Sequence, residues 1–281
     1  MIEFIIIAIL QGFFEWLPIS SSGQVFIVSM DVFGFTSDQA YSLAIWLHLG
    51  TTLAVILKFR KDYIKICKSI FPKFFTVADV DVKKRNWIIY ATIGTGITAI
   101  PLYIIFKIII SDAFVPLQGD VITLIISGLL IITGVILLKS RKIYGENTIE
   151  SIPSTNISKD SFLSGLIQGA SILPGISRSG VTVTTILLEK YDQDNALKLS
   201  FLMLVPVALA SIVVDILFGG AQVLTILTPI SIVITTFISF LVGYFTIEVL
   251  LRVAQKINFG YFCIIYGIIA YIVIIPFIIV A

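Results

Sequence analysis

Six stretches of this sequence, about 40–59, 87–110, 120–138, 196–218, 227–251 and 258–280, run apolar for roughly the 20 residues that cross a bilayer as a helix. That pattern excludes most folds. Backbone polar groups find no partner in hydrocarbon, so spanning segments are helices or closed barrels. Long apolar runs with few alternating polar positions fit helices, not barrel strands. The composition agrees: 58% of the residues are hydrophobic and 13% are charged, about half the charged share of a soluble domain, roughly 25%. A soluble globular fold and a disordered chain are both excluded. The expectation is an all-α polytopic membrane protein, one integral membrane domain over 1–281.

Two further apolar regions, 1–35 and 161–190, are broken by Pro, Gly and Ser into halves too short to cross. The basic residues then set the orientation. Lys58, Arg60, Lys61, Lys65, Lys68, Lys73, Lys83, Lys84 and Arg85 follow the first span. Lys139, Arg141, Lys142 and Lys159 lie in 139–160, and Lys190, Lys198, Arg252 and Lys256 flank later segments. All of these share one side if both broken regions enter and return on the same side. That side is expected to be cytoplasmic, with both termini outside; the opposing stretches 111–119 and 219–226 carry no Lys or Arg. The N-terminus has no basic n-region or small-residue cleavage site, so no cleaved signal peptide is expected. Net charge is +2, from 19 basic and 17 acidic residues, too balanced to suggest nucleic acid as a partner. Cys67 and Cys263 have neither disulfide nor metal spacing, and a single histidine, His48, excludes a multi-histidine centre.

The two broken regions resemble each other. The first reads AILQGFFEWLPISSSGQ from Ala8 and the second GLIQGASILPGISRSGVT from Gly165. Gln11-Gly12 aligns with Gln168-Gly169, and Ser20, Ser22 and Gly23 with Ser177, Ser179 and Gly180 at the same offset. Each region precedes three spans. Three is odd, so the second copy enters from the opposite face. The expected architecture is an inverted-topology repeat: six transmembrane helices plus two re-entrant helix pairs meeting near the midplane. Repeat one is about 1–138, repeat two about 161–281, with a cytoplasmic loop 139–160 between them.

In the first motif, Gln11 and Glu15 stand at i and i+4 and share a helix face. Pro18 ends that helix, and Ser20, Ser21 and Ser22 fall in the break, where serine caps a following helix. The second motif, Pro174 to Thr182, repeats this with a guanidinium added: Ser177, Arg178, Ser179 and Gly180 lie at the break, and Thr182 adds a hydroxyl one turn on. Helix N-termini and an arginine fork suit a phosphate. Glu15 and Arg178 sit in otherwise uncharged stretches, where an ionisable group is a functional hypothesis by default; the bland alternative is an ion pair tying the two halves together.

Other polar residues read more plainly. Asp215 and Glu248 stand near span ends and read as interfacial. Glu189 and Asp192 read as solvated, and Lys107 as near the outer surface. His48, mid-span, reads first as a hydrogen-bonded packing histidine and second as a general base facing the cavity. Gly94, Gly96 and Gly128 are expected to permit close helix contact.

At the two motifs the chain resembles the undecaprenyl-diphosphate phosphatase family of the bacitracin-resistance type. The family's first pattern is met by Gln11, Glu15, Pro18, Ser20 and Ser21, and its second, Pro-Gly-x-Ser-Arg-Ser-x-x-Thr, in full from Pro174 to Thr182. The resemblance implies a membrane phosphatase that converts a polyprenyl diphosphate to the monophosphate carrier lipid, with re-entrant helices, a homodimer and a divalent cation, Mg or Ca. Carried over, Glu15, Ser21 and Arg178 are the catalytic candidates, with Ser21 as nucleophile or phosphate ligand. Gln11, Ser20, Ser22, Gln24, Ser177, Ser179, Gly180 and Thr182 are the substrate-binding candidates, and Glu15 is the candidate metal ligand. One departure matters: the family's histidine after Ser-x-Gly is Gln24 here, and glutamine cannot take a proton. Either that histidine is dispensable, or Glu15 acts as base with water or Ser21 as nucleophile, or His48 substitutes. The competing reading is a transporter or flippase that binds a phosphorylated lipid in the same pocket without cleaving it.

Overall fold

A computed structural model describes residues 1–112, 118–140, 145–256 and 259–280, apart from the side chains of 109–112, 118–120, 140, 250, 251, 253–256, 259, 273, 274 and 276–280. Arg141, Lys142 and the Lys256 side chain lie outside the described residues.

The regular structure of the described chain is helical, apart from one isolated bridge between Asn147 and Tyr191. Helices α1 (Ile2–Phe14) and α2 (Ser21–Ile27) flank the first break, and a π-helical turn, Val28–Val32, prolongs α2. Then come α3 (Ser37–Lys58), α4 (Arg60–Ile70), α5 (Asp79–Asp112) and α6 (Gln118–Ser140). The second half runs α7 (Ser154–Gly169), a 3₁₀ turn at Ala170–Ile172, α8 (Arg178–Leu188), α9 (Gln193–Phe218), α10 (Val223–Ile226), α11 (Pro229–Lys256) and α12 (Phe259–Val280). Among the described residues five helices, α3, α5, α6, α9 and α11, are long and apolar enough to cross a membrane.

Local chemistry places the ends. Thr36 and Gln39 form a capping box at α3, Asp192 caps α9 through Asn195 N–H, and Pro229 opens α11. α5 has 34 residues, about 50 Å at 1.5 Å per residue, and begins eight residues before the apolar run. Its charged first turns are held by ion pairs, Lys83 with Asp79 at 3.1 Å and Lys84 with Asp62 at 2.8 Å. α7 likewise begins at Ser154, inside the stretch expected to be loop.

α1 packs on α11, α7 on α5, α3 on α9 and α6 on α12. Small residues allow the approach. A Cβ on Gly12 would stand 2.8 Å from Ser239 O, and one on Gly50 2.5 Å from Thr236 O, both on α11. Gly94 and Gly165 press α5 and α7 together in the same way, and Gly128 backs onto the Tyr271 hydroxyl of α12 at 2.9 Å. Gly96 makes no such contact: nothing lies within 4 Å of its Cβ position.

Candidate active site

The two breaks meet, and the Ser20 hydroxyl is one of the groups that tie them. Glu15 caps the C-terminus of α1 and Ser20 caps the N-terminus of α2. Ser20 has φ 59°, in the left-handed region, which costs a non-glycine residue roughly 1–3 kcal/mol. Its Oγ accepts from Gly23 N–H at 3.3 Å and, across the interface, from Gly175 N–H at 3.0 Å. Ser177 caps α8 in the same manner, accepting from Gly180 N–H at 3.2 Å. Gly175 has φ +101°, and a Cβ there would run into Ile126 O, so glycine is the residue that fits. Side chains of α6 and α12 hold the freed carbonyls: Thr133 Oγ1 donates to Gly175 O at 3.1 Å and Cys263 Sγ to Pro18 O at 3.4 Å.

Glu15, 4% exposed, is the hub. Its Oε1 accepts from Arg178 Nη2 at 2.6 Å, and its Oε2 accepts from Ser21 Oγ at 2.7 Å and Gln11 Nε2 at 2.8 Å. Each partner of the ion pair sits at the unfavourable end of its own helix dipole, Glu15 at a C-terminus and Arg178 at an N-terminus. Pairing offsets both. His48 completes the cluster. Its Nδ1 lies 2.6 Å from Ala44 O, which can only accept, so Nδ1 carries the hydrogen. Nε2 is then the nitrogen turned to Glu15, 3.4 Å from Oε2. The Arg178 guanidinium lies over the Phe201 ring, 6.0 Å from its centroid, and its Nη1 is buried with no hydrogen-bond partner among the described residues.

These groups border a cavity of about 90 Å³. Glu15, Ser21, His48 and Arg178 line it, as do Ser20, Ser22, Ser177 and Ser179. Four candidates do not. Gln24 is buried, with its amide turned back 3.4 Å from Ile19 O. Gln11 stands behind Glu15 and reaches the cavity only through that carboxylate. Gly180 is the capped residue of α8, against Ser177 and Pro18. Thr182 Oγ1 is spent on Arg178 O at 2.8 Å and Ser200 Oγ at 2.6 Å.

Other residues of the lining were not among the site candidates: Tyr41 and Ser211, and, on the side of α5 and α7, Thr95 and Ser171 with Gln168, which the sequence marked only as the repeat counterpart of Gln11. Asp215 is not interfacial. It is fully buried and accepts from Ser42 Oγ at 2.6 Å. Glu189 is half-buried where solvation was expected; it accepts from Ser164 Oγ at 3.2 Å, and burial and then the nearby Asp160 push its carboxyl up to about 8. Glu248 is exposed and paired with Lys58, and Lys107 is paired with Asp38. Outside the spans, burial would raise the Asp62 carboxyl, but hydrogen bonds from Lys84 and Lys198 outweigh it and hold that group below the usual carboxylate range.

Residues 4–272 match the family described as bacitracin resistance protein BacA. The chain belongs to that family. Among its relatives, a protein of Methanothrix thermoacetophila named undecaprenyl-diphosphatase is 37% identical over 269 residues, 95% of this chain and 94% of its own length. Proteins of the same name from Methanococcoides burtonii and Haloarcula marismortui are 35% identical over 271 residues and 32% over 264, with 95% and 94% of this chain covered and 96% and 93% of their own lengths. Membership in the BacA family, with the five spanning-length helices, makes this a multi-pass membrane protein. The divalent cation implied by the BacA resemblance fits these residues poorly. Glu15 is the one carboxylate of the cavity lining, and both its oxygens already face Arg178, Ser21, Gln11 and His48. Among the described residues no three His, Cys, Asp or Glu groups converge as a metal site.

Proposed function

We propose that this BacA-family chain hydrolyses a polyprenyl diphosphate, undecaprenyl diphosphate or similar, to the monophosphate carrier lipid and inorganic phosphate. One observation carries the reading: Glu15 accepts from a hydroxyl and a guanidinium of different helices, with the His48 ring beside it, at the edge of one buried cavity. The name undecaprenyl-diphosphatase, borne by the relatives, favours hydrolysis over transport without cleavage.

Arg178 draws the terminal phosphate to the N-terminus of α8, where its Nη1 is a charged donor without a partner among the described residues. Ser21 Oγ attacks the phosphorus and its proton passes to Glu15 Oε2 along the existing hydrogen bond. The bridging P–O bond breaks and the lipid monophosphate leaves. Water then attacks the phosphoserine, giving its proton to His48 Nε2; the Oγ–P bond breaks, Ser21 recovers its proton from Glu15, inorganic phosphate leaves, and His48 returns its proton to the departing phosphate or to water. Preorganised donors stabilise the charge that builds on the equatorial oxygens. No step runs through a metal ion bound by protein carboxylates.

The same reading includes an inverted repeat in the membrane. Its support is an exchange of partners: α1 packs on α11 while its counterpart α7 packs on α5, the counterpart of α11. Thr133 of α6 serves the second break as Cys263 of α12 serves the first. With the basic loops cytoplasmic and the termini outside, the lining residues Tyr41 of α3 and Ser211 of α9 fall on the outer halves of their helices. Phosphate release from a polyprenyl diphosphate by purified protein in detergent, where transport has no meaning, tests the function. Turnover no higher than that of Glu15→Ala would overturn it.

A further inference from the structure

Gln168 is the repeat counterpart of Gln11, but it has no carboxylate to hold, because Ile172 stands where Glu15 stands in the first half. It is fully buried near the end of α7 and borders the cavity. Its Nε2 lies 3.3 Å from Thr95 Oγ1. The Thr95 hydroxyl spends its own hydrogen on Ala91 O at 2.8 Å or Gly165 O at 3.1 Å, both acceptors only. Thr95 must therefore accept from Gln168, which fixes the amide with nitrogen toward Thr95 and oxygen away. Oε1 is buried and has no partner among the described residues, and one of the two amide hydrogens is left over. A buried amide with an acceptor and a donor both unspent calls for an explanation.

The cavity has two unlike walls. Around Glu15, Ser21, His48 and Arg178 it is charged; the wall from α5, α7 and α9 adds no ionisable residue, only neutral polar groups among apolar ones such as Ala99 and Val207. A prenyl diphosphate is also ordered: apolar tail, bridging phosphate, terminal phosphate. With the terminal phosphate at the charged wall, the phosphate nearer the tail meets the neutral one. We infer that Gln168 is a substrate-positioning residue, its amide hydrogen-bonding the phosphate that stays on the lipid. This rests on the hydrolase reading above. The spare N–H donates to a phosphoryl oxygen, and Oε1 accepts from a protonated oxygen or a water on the same group.

The test compares two probes on detergent-purified protein, farnesyl monophosphate, which carries the lipid-side phosphate, and inorganic phosphate, which needs only the Arg178 side. Gln168→Leu should weaken farnesyl monophosphate about tenfold, the scale of one lost hydrogen bond to a charged group, and leave inorganic phosphate unchanged. For the diphosphate, the loss should fall on KM more than on kcat. The melting temperature should hold or rise, since an unsatisfied buried polar atom is removed. Gln168→Met, equal in length, repeats the test if the leucine variant does not fold. Unchanged farnesyl monophosphate binding overturns the inference, as does equal weakening of both probes with a lower melting temperature, the mark of a structural role. A wild-type protein that binds both probes but releases no phosphate counts against the hydrolase reading instead.

Discussion

Arg178 Nη2 stands 2.6 Å from Glu15 Oε1, joining residues 163 positions apart in a site where each would otherwise be a lone buried charge. The pair ties the two halves together and, in the proposed reaction, is the core of the chemistry. Arg178→Ala should lower kcat at least 10²–10³-fold, the range for removing one transition-state donor. Arg178→Lys should recover only part of it, because a point charge replaces a planar fork that serves Glu15 and phosphate together. Phosphate release by Arg178→Ala near the wild-type rate would contradict this assignment.

His48 and Gln24 divide the family's histidine problem. Nε2 of His48 reaches Glu15, whereas the Gln24 amide turns away to Ile19 O. His48→Gln should therefore cost about 10²-fold in kcat, the low end for a general acid–base group. Adding Gln24→His should not restore the rate. Full rescue by that second change would show that position 24 can reach the cavity after all.

These two residues also mark where the sequence stops being legible. Span positions, the serine caps and the Glu15–Arg178 partnership follow from apolar runs, proline breaks and two isolated charges. The face of α3 that meets the breaks does not, because α3 is apolar or small on most sides and His48 could have pointed to any neighbour. Asp215 misled for a related reason. Near a span end a carboxylate reads as interfacial, yet α3 supplies Ser42 to bury it, with Val223 N–H of α10 donating to the same Ser42 Oγ. Gln168 was visible only as half of a repeat match, since its role depends on Thr95, which is distant in sequence.

Ser20 pays a backbone cost for a hydroxyl that satisfies two N–H groups, Gly23 and Gly175. Ser20→Ala keeps the strained conformation and strands both donors, each worth roughly 1–3 kcal/mol when buried and unsatisfied. It should lower the detergent melting temperature clearly. Ser22→Ala should barely move it, since among the described residues the Ser22 Oγ makes only the long 3.5 Å contact to Ser20. Equal melting shifts for the two variants would remove the cross-break tie from the account.

Glu189 gives the stability a pH dependence that can be signed. Burial first, then Asp160, raise its folded pKa to about 8 from an ordinary 4.5, while the Ser164 hydrogen bond pulls the other way. A carboxyl with a raised folded pKa binds its proton more tightly folded than unfolded. Its contribution is therefore complete below about 4.5, shrinks as pH rises, and is gone above about 8. The groups around it, Asp160 with Tyr191 hydrogen-bonded to it and Lys159 near it, belong to the same cytoplasmic-side cluster in the proposed orientation. Glu189→Gln keeps the shape and cannot ionise. Its melting temperature should exceed that of the wild type at pH 9 and converge with it near pH 5. The same difference at both pH values would mean that the Glu189 proton does not set it.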